Sequence, residues 1–312
     1  MLVNGEWSAD WDPVQAKDSK GGFKRQDSEF RNWIGDEQFP AEKGRYRLYA
    51  AYICPWACRT LALRNLKGLQ DIIPVTIINP VMTDFGWQFG GYPGASAEDP
   101  EMNAQYMHEL YTKANGNYTG RATVPVLWDT KAKTIVNNES SEIIKMLNSA
   151  FDDLLPENYQ ALDFYPEALK DDIDRFNADI YPSVNNGVYR AGFATTQEAY
   201  EEAFADIFAK LDDLEDRFSD GRKFVHGERL TLSDIHLFMT LIRFDVAYYG
   251  LFKTNLSRIE DYPHLQAYTK RMYSEPSVVD TVNFDHIKSG YYSIKKLNPT
   301  GIVPKGPSLQ FE

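Results

Sequence analysis

The hydrophobic pattern of this chain changes near its middle. Before residue 150, alternating or β-branched runs that predict strands are mixed with helical segments, whereas from about residue 166 to 280 the pattern is helical. A chain of 312 residues is long enough for two domains, each with its own core. The sequence therefore predicts an α+β domain followed by an all-α domain.

The first predicted domain spans residues 45–150. RYRLYAAY predicts a strand, CPWACRTLALRNLKGL a helix starting near Pro55, and DIIPVTIIN a buried strand. ATVPVLWD and KTIV predict a hairpin, and ESSEIIKMLN predicts the helix that closes the domain. We interpret residues 79–120, which are rich in Gly and Pro, as a long functional excursion rather than a core element.

The second predicted domain, residues 165–290, is helical throughout. Its best helix is TQEAYEEAFADIFAKLDDLEDRF, where apolar residues recur at helical spacing at Tyr200, Phe204, Ile207, Phe208, Leu211, Leu214 and Phe218. Thr231 and Asp234 form a capping pair ahead of an apolar run, which predicts the start of a buried helix.

The two ends of the chain differ from these domains. Residues 1–44 are polar and aperiodic, and we predict an extended arm pinned to the surface by the large apolar side chains of Trp7, Trp11 and Trp33. Residues 291–312 are predicted to form a C-terminal tail containing NPTGIVPKGP.

Charge and composition narrow the classes of partner. The formal net charge is −12, of which residues 1–150 contribute −2 and residues 151–312 contribute −10. An acidic second half without a basic stripe argues against nucleic acid, because phosphate binding depends on Lys and Arg. There is no apolar run near 20 residues and no signal-peptide core, so we expect a cytoplasmic protein that does not bind a membrane.

The two cysteines, Cys54 and Cys58, are too close together to form a disulfide framework. Cys54 lies between a predicted strand and Pro55, at a helix N-terminus whose free N–H groups and dipole favour the thiolate. The alternative is a small buried hydrophobe, which is also our interpretation of Cys58. With five scattered histidines and two cysteines, no metal site is predicted.

Two further local features each have two interpretations. Val124-Pro125 lies inside a predicted strand, where the proline indicates either a cis peptide bond that exposes the Val124 backbone to a ligand or an edge strand. Glu139-Ser140 begins a predicted helix, where serine can be an ordinary N-cap or the free N–H groups can bind a carboxylate.

Longer motifs resemble one protein family along nearly the whole chain. They are CPWA (54–57), GGFKRQDSEFRNWI (21–34), TVPVLWD (123–129), NNESSEII (137–144), NNGVYRAGFATTQEAYEEA (185–203), RFDVAYYGLFK (243–253) and NPTGIVPKGP (298–307). The chain resembles the glutathione transferase superfamily, and within it the xi class, the glutathionyl-hydroquinone reductases. This resemblance implies a thioredoxin-like N-terminal domain that binds glutathione, an all-α C-terminal domain that binds substrate, and a homodimer.

The resemblance also implies roles for individual residues. Cys54 would be the catalytic thiol, and the glutathione site would consist of Trp87, Arg121, Val124, Glu139 and Ser140. Tyr189, Tyr248 and Tyr291 would surround the hydroquinone ring, with Tyr249 and Tyr292 as the alternatives one position on. Cys58 stands where the class usually has a histidine, and the segment SGYYSIKK lacks the histidines often found there.

The implied activity is removal of glutathione from S-glutathionyl hydroquinones, with glutathione as the co-substrate and no metal. Cys54 would form a mixed disulfide with glutathione, which a second glutathione resolves. The alternatives are an omega-like thiol transferase or dehydroascorbate reductase, and a non-catalytic glutathione-binding module. The partners would be small glutathionylated aromatic compounds.

Overall fold

The computed structural model describes residues 1–9 and 17–309, which form two compact units. Unit 1 consists of Met1–Trp11, Gln26–Asp163 and Thr281–Ser293, and unit 2 of Asp12–Arg25, Phe164–Asp280 and Ile294–Glu312. The units therefore do not follow the order of the chain, since both the predicted arm and the predicted helical region are divided between them.

Unit 1 contains the strands. In the arm, β1 (Leu2–Val3) and β2 (Glu6–Trp7) form an antiparallel pair. The main sheet has the order β4-β3-β5-β6 and consists of β3 (Tyr46–Ala50), β4 (Val75–Ile77), β5 (Val126–Asp129) and β6 (Thr134–Asn137). β3 is parallel to β4, which requires a crossover, and antiparallel to β5, with Tyr46 opposite Asp129. β5 and β6 form the predicted hairpin.

The α-helices of the described residues are numbered in chain order. They are α1 (Pro55–Leu66), α2 (Met107–Ala114), α3 (Ser140–Ser149), α4 (Glu157–Gln160), α5 (Lys170–Ile180), α6 (Gly187–Gly192), α7 (Gln197–Phe218), α8 (Leu232–Arg243), α9 (Tyr249–Leu251), α10 (Pro263–Tyr273), α11 (Pro276–Val279) and α12 (Phe284–Tyr292). Short 3₁₀ segments occur at Asp152–Leu154, Glu167–Leu169 and Ile259–Asp261, and π-helical turns at Tyr181–Asn185 and Phe244–Tyr248. None of these helices is long and apolar enough to cross a membrane.

The excursion, residues 79–120, contains a helix that the sequence analysis did not predict. Met107, Leu110 and Tyr111 of α2 are buried, and α2 packs against β6. The interpretation of the excursion as lying outside the core is therefore corrected for residues 107–114. The three buried side chains have helical spacing, but the stripe is short and follows a stretch rich in Gly and Pro.

The arm is anchored partly by other residues than those predicted. Trp7 stacks on His108 with ring centroids 4.5 Å apart, and its indole N–H donates to the Asp84 carbonyl. Trp33, in contrast, is 38% exposed, whereas its neighbour Ile34 is buried. Trp11 lies outside the described residues. The arm is thus held by the aromatic side chain of Trp7 and by the buried aliphatic side chain of Ile34.

Unit 2 has α8 at its centre, and every residue of α8 is buried. The predicted capping pair is confirmed, because Asp234 accepts hydrogen bonds from the Thr231 backbone N–H (2.8 Å) and hydroxyl (3.0 Å). α5 and α10 pack against α8, and α10 also packs against α7. In α7, the residues buried along the predicted stripe are Ile207, Phe208, Leu211, Leu214 and Phe218, whereas Tyr200 and Phe204 are half-buried.

The last helix, α12, belongs to unit 1. A Cβ atom on Gly290 would lie 2.4 Å from Ile53 Cδ1 and 2.8 Å from the Pro80 carbonyl oxygen, so this glycine permits a very close approach. The excursion contacts α12 as well, since the Tyr92 hydroxyl hydrogen-bonds with Asp285 (2.8 Å) and Ser289 (2.7 Å). These contacts place α12 against the segment that leads into Cys54.

Candidate active site

Cys54 lies at the start of α1, as predicted. It is the N-cap residue, with extended backbone angles, and Pro55 is the first residue of the helix. A proline at this position loses no hydrogen bond, because the N–H of a first helical residue has no partner within the helix. Cys54 is half-buried, so its thiol combines access with a position at the positive end of the α1 dipole.

The thiol of Cys54 faces the backbone of Val124. Its Sγ atom lies 3.6 Å from the Val124 carbonyl oxygen. The Val124-Pro125 peptide bond is cis, and the strand that follows, β5, lies between β3 and β6. The predicted cis peptide bond is therefore confirmed and the edge-strand interpretation is wrong, whereas exposure of the Val124 backbone to a ligand stays a prediction. Val124 thus places its backbone carbonyl beside the thiol.

Cys58 is buried one helical turn further along α1. Its Sγ atom lies 3.4 Å from the Tyr52 carbonyl oxygen and 3.7 Å from that of Ala51. Neither Cys54 nor Cys58 forms a disulfide. The packing of Cys58 agrees with its interpretation as a small buried hydrophobe.

Glu139 and Ser140 lie at the start of α3, but the cap differs from the serine cap that was considered. The N-cap is Glu139, whose Oε1 accepts hydrogen bonds from the Ser141 N–H (3.1 Å) and hydroxyl (2.9 Å). Ser140 is the first helical residue and is buried. A carboxylate therefore occupies the positive end of this helix dipole, beside the buried serine.

Arg121 and Trp87 lie in the segments around α2. Arg121 is half-buried, and its backbone carbonyl accepts a hydrogen bond from the Tyr118 hydroxyl at 3.1 Å. Burial raises the pKa of Tyr118, which therefore stays a neutral donor. Trp87 is also half-buried, and its carbonyl accepts from the N–H of Met107, the first residue of α2.

The three predicted tyrosines are divided between the units. Tyr189 of α6 and Tyr248 of a π-helical turn lie together in unit 2, with ring centroids 6.0 Å apart. Phe252 lies 5.5 Å from Tyr189 and 5.2 Å from Tyr248, which makes an aromatic cluster. Tyr291 is buried in α12 and belongs to unit 1.

Tyr249 and Tyr292, the alternatives to Tyr248 and Tyr291, are less buried than those two residues. Tyr249 is half-buried, with the guanidinium of Arg258 5.3 Å from its ring centroid. Tyr292 is also half-buried, and burial raises the pKa of its phenol.

The sequence analysis missed two arm residues that contact the predicted site. Ser28 Oγ lies 3.2 Å from Glu139 Oε2, and the Gln26 side-chain oxygen accepts a hydrogen bond from the Arg121 backbone N–H at 3.2 Å. Both residues belong to the motif GGFKRQDSEFRNWI, which was used only for the resemblance. A long polar motif in an otherwise aperiodic arm was the available indication of such contacts.

Comparison with known proteins gives consistent results. Residues 53–150 match the model of the glutathione S-transferase N-terminal domain, and residues 197–271 match that of the C-terminal domain. These matches confirm the predicted fold, a thioredoxin-like domain followed by a helical domain.

Similar proteins match the chain over nearly its full length. It is 49% identical over 312 residues to glutathionyl-hydroquinone reductase PcpF from Sphingobium chlorophenolicum, covering 99% of this chain and 96% of that protein. The crystal structure of the glutathione-S-transferase Xi from Phanerochaete chrysosporium matches with a TM-score of 0.91 and 50% identity, over 93% of this chain and 94% of that one. The glutathione-bound structure of YqjG, a glutathione transferase homolog from Escherichia coli K-12, matches with a TM-score of 0.89 and 43% identity, over 99% of this chain and 96% of that one. The chain belongs to the xi class of glutathione transferases, the class of the glutathionyl-hydroquinone reductases.

Proposed function

We propose that this protein is a glutathionyl-hydroquinone reductase in which Cys54 is the nucleophile. The observation that carries the proposal is the half-buried Cys54 thiol at the N-terminus of α1, 3.6 Å from the Val124 carbonyl. The name of the Sphingobium relative, which matches nearly the whole chain, supports the same reaction class.

Glutathione would bind along the edge formed by Val124 and the start of α3. The backbone of Val124 offers polar groups to the cysteinyl unit, which would bring the glutathione sulfur beside Cys54. Glu139 and Ser140 would bind the γ-glutamyl end, because a carboxylate can accept from its ammonium group and a helix N-terminus can donate to its carboxylate. Arg121 would pair with a carboxylate of glutathione, and Trp87 would supply an apolar wall.

The first chemical step would be attack of the Cys54 thiolate on the sulfur of a glutathionyl hydroquinone. A sulfur–sulfur bond forms and the aryl carbon–sulfur bond breaks, so its electron pair and a proton go to the ring carbon. The free hydroquinone leaves, and Cys54 is left as a mixed disulfide with glutathione. The family resemblance remains the ground for proposing Tyr189, Tyr248 and Tyr291 as the hydroquinone-binding tyrosines, and a tyrosine hydroxyl can supply the proton.

The second step would be attack of another glutathione thiolate on the mixed disulfide. It releases oxidised glutathione and regenerates the Cys54 thiolate. The buried position of Cys58 supports a mechanism with one protein thiol, because a resolving thiol has to reach the mixed disulfide.

The proposal is tested by turnover of a glutathionyl hydroquinone with excess glutathione. Cys54→Ser should abolish release of hydroquinone, whereas Cys58→Ala, which removes the other thiol, should keep most of the rate. A Cys54→Ser protein with the full wild-type rate would exclude the mechanism. If the wild type releases no hydroquinone, assays with mixed disulfides and dehydroascorbate would distinguish an omega-like enzyme from a non-catalytic module.

Mass spectrometry after mixing with oxidised glutathione provides an independent check. Addition of one glutathionyl group to Cys54 is expected from a reactive thiol and not from a non-catalytic module. We also propose a homodimer, and sedimentation of the full chain at twice the monomer mass would support this.

A further inference from the structure

The Tyr111 hydroxyl, on α2, is tied to the residue that precedes Val124. It donates to the Thr123 carbonyl oxygen at 2.9 Å and accepts from the Thr123 backbone N–H at 3.2 Å. The Tyr111 side chain is fully buried. Because both backbone groups of Thr123 are held by one atom, the path of the chain into Val124 is fixed from α2.

The same hydroxyl also contacts the segment that leads into α3. Asn138 Nδ2 donates to the Tyr111 oxygen at 3.1 Å, and Asn138 directly precedes Glu139. Asn138 is fixed on its other side by the arm, since its Oδ1 accepts from the Phe30 N–H at 3.2 Å and its N–H donates to the Phe30 carbonyl at 3.1 Å. One oxygen atom thus connects the two chain segments that carry Val124 and Glu139.

The hydrogen bonds of this hydroxyl use its full capacity. A phenol has one proton to donate and two lone pairs to accept with. Four groups lie within hydrogen-bond distance of the Tyr111 oxygen, namely the Thr123 carbonyl (2.9 Å), N–H (3.2 Å) and hydroxyl (3.2 Å), and the Asn138 amide nitrogen (3.1 Å). Burial raises the pKa of Tyr111, so the hydroxyl keeps its proton. A saturated, buried network of this kind holds its partners in one arrangement.

We propose that Tyr111 is a positioning residue of the glutathione site, which sets the spacing between the Val124 backbone and the Glu139–Ser140 helix start. These two groups would bind different ends of one glutathione molecule, so their separation determines whether both can bind at once. The inference rests on the proposed function, and it assigns Tyr111 no contact with substrate.

The test is Tyr111→Phe, which removes one oxygen atom and keeps the ring. We expect the KM for the glutathionyl hydroquinone, whose glutathionyl group would fill this site, to rise about tenfold, the effect of one or two lost hydrogen bonds, with kcat at saturating substrate within about twofold of wild type. Tyr49→Phe is the matched control. Tyr49 is equally buried in unit 1, but its hydroxyl binds Asp99 (2.6 Å) and not the predicted site. This control should lose stability without a change in KM.

Asn138→Ala tests the same connection from its other end and serves if Tyr111→Phe does not fold. It should also raise the KM for the glutathionyl hydroquinone, and the double variant should cost little more than the larger single effect. A KM for Tyr111→Phe equal to that of Tyr49→Phe, or fully multiplicative effects of Tyr111→Phe and Asn138→Ala, would overturn the inference. A wild type that releases no hydroquinone from the glutathionyl hydroquinone would instead overturn the proposed function.

Discussion

The buried carboxyl group of Asp234 caps α8 and also makes the stability of the protein depend on pH. It is fully buried and accepts hydrogen bonds from Thr231, from the Val225 N–H and from the Tyr268 hydroxyl. Burial raises its pKa from 3.8 to about 6, although these hydrogen bonds act in the opposite direction. The folded protein therefore binds this proton more tightly than the unfolded chain does.

The pH dependence follows from that direction. A raised pKa in the folded state gives stability that is fully present below about pH 4 and is lost as the pH rises through about 6. Asp234→Asn does not titrate, so the free energy of unfolding of the wild type relative to this variant should fall by about 2 kcal/mol between about pH 4 and pH 7. Chemical unfolding of both proteins across this range measures it. A difference that does not change with pH would contradict the prediction.

Gly290 of α12 lies where the structure leaves no room for a larger side chain. A Cβ atom there would meet Ile53 at 2.4 Å and the Pro80 backbone at 2.8 Å, and backbone cannot move aside cheaply. Gly290→Ala should therefore lower the free energy of unfolding by about 1–3 kcal/mol, as overpacking typically does. Because Ile53 precedes Cys54, we also expect slower turnover.

The control for this prediction is Gly116→Ala. A Cβ atom at the exposed Gly116 would have no atom within 4 Å, so this substitution should be close to neutral. Thermal unfolding of both variants makes the comparison. Equal stability of Gly290→Ala and wild type would mean that α12 does not pack this closely against Ile53.

At the scale of elements, Lys67 fixes the C-terminal end of α1. Its ammonium group is fully buried, 2.7 Å from Asp152 Oδ1, and donates to the carbonyls of Leu162 (2.7 Å) and Tyr159 (3.1 Å). This cation therefore joins α1 to the segment around α4, and it also offsets the negative end of the α1 dipole.

Lys67→Met should destabilise the protein by about 2–4 kcal/mol. The methionine keeps most of the side-chain volume, but it leaves a carboxylate and two carbonyls without their donor. Lys131→Met is the comparison, because Lys131 forms an exposed ion pair with Glu42 and its loss should change stability by less than about 1 kcal/mol. Urea unfolding of the two variants decides the matter, and similar losses in both would argue against a special role for Lys67.

Elements were predicted correctly where neighbours in sequence determine them. The hairpin of β5 and β6, the start of α1 at Pro55 and the start of α8 behind Thr231 all follow from residues a few positions apart. The helix α2 was missed, because its stripe of three buried residues is short and follows a stretch rich in Gly and Pro, whereas its packing on β6 is not visible in the sequence.

At the scale of the whole molecule, the net charge of −12 sets the long-range interactions. Repulsion between the negatively charged protein and phosphate groups should prevent binding to polyanions. This repulsion is strongest at low salt, where screening is weak. We expect no retention on heparin or DNA columns at about 50 mM salt, and strong retention on an anion exchanger. Retention on heparin would indicate a local basic surface and would contradict the prediction that nucleic acid is not a partner.

The sequence by itself determined the type of fold and the position of Cys54 at the start of α1. Hydrophobic periodicity, helix capping and the Cys54-Pro55 pair each involve residues that are close together in the sequence. They can therefore be recognised from the sequence alone. The same holds for Val124, whose proline neighbour limited its backbone to two interpretations.

The tertiary structure alone decided which distant segments meet. It assigned α12, and with it Tyr291, to unit 1, while Tyr189 and Tyr248 lie together in unit 2. It brought Ser28 of the arm to Glu139, and it made Glu139 the cap of α3. These outcomes depend on which surfaces bury the most apolar area and satisfy the most buried hydrogen bonds. Both quantities are set by contacts between segments that are far apart in the sequence, so no short stretch of the chain determines them.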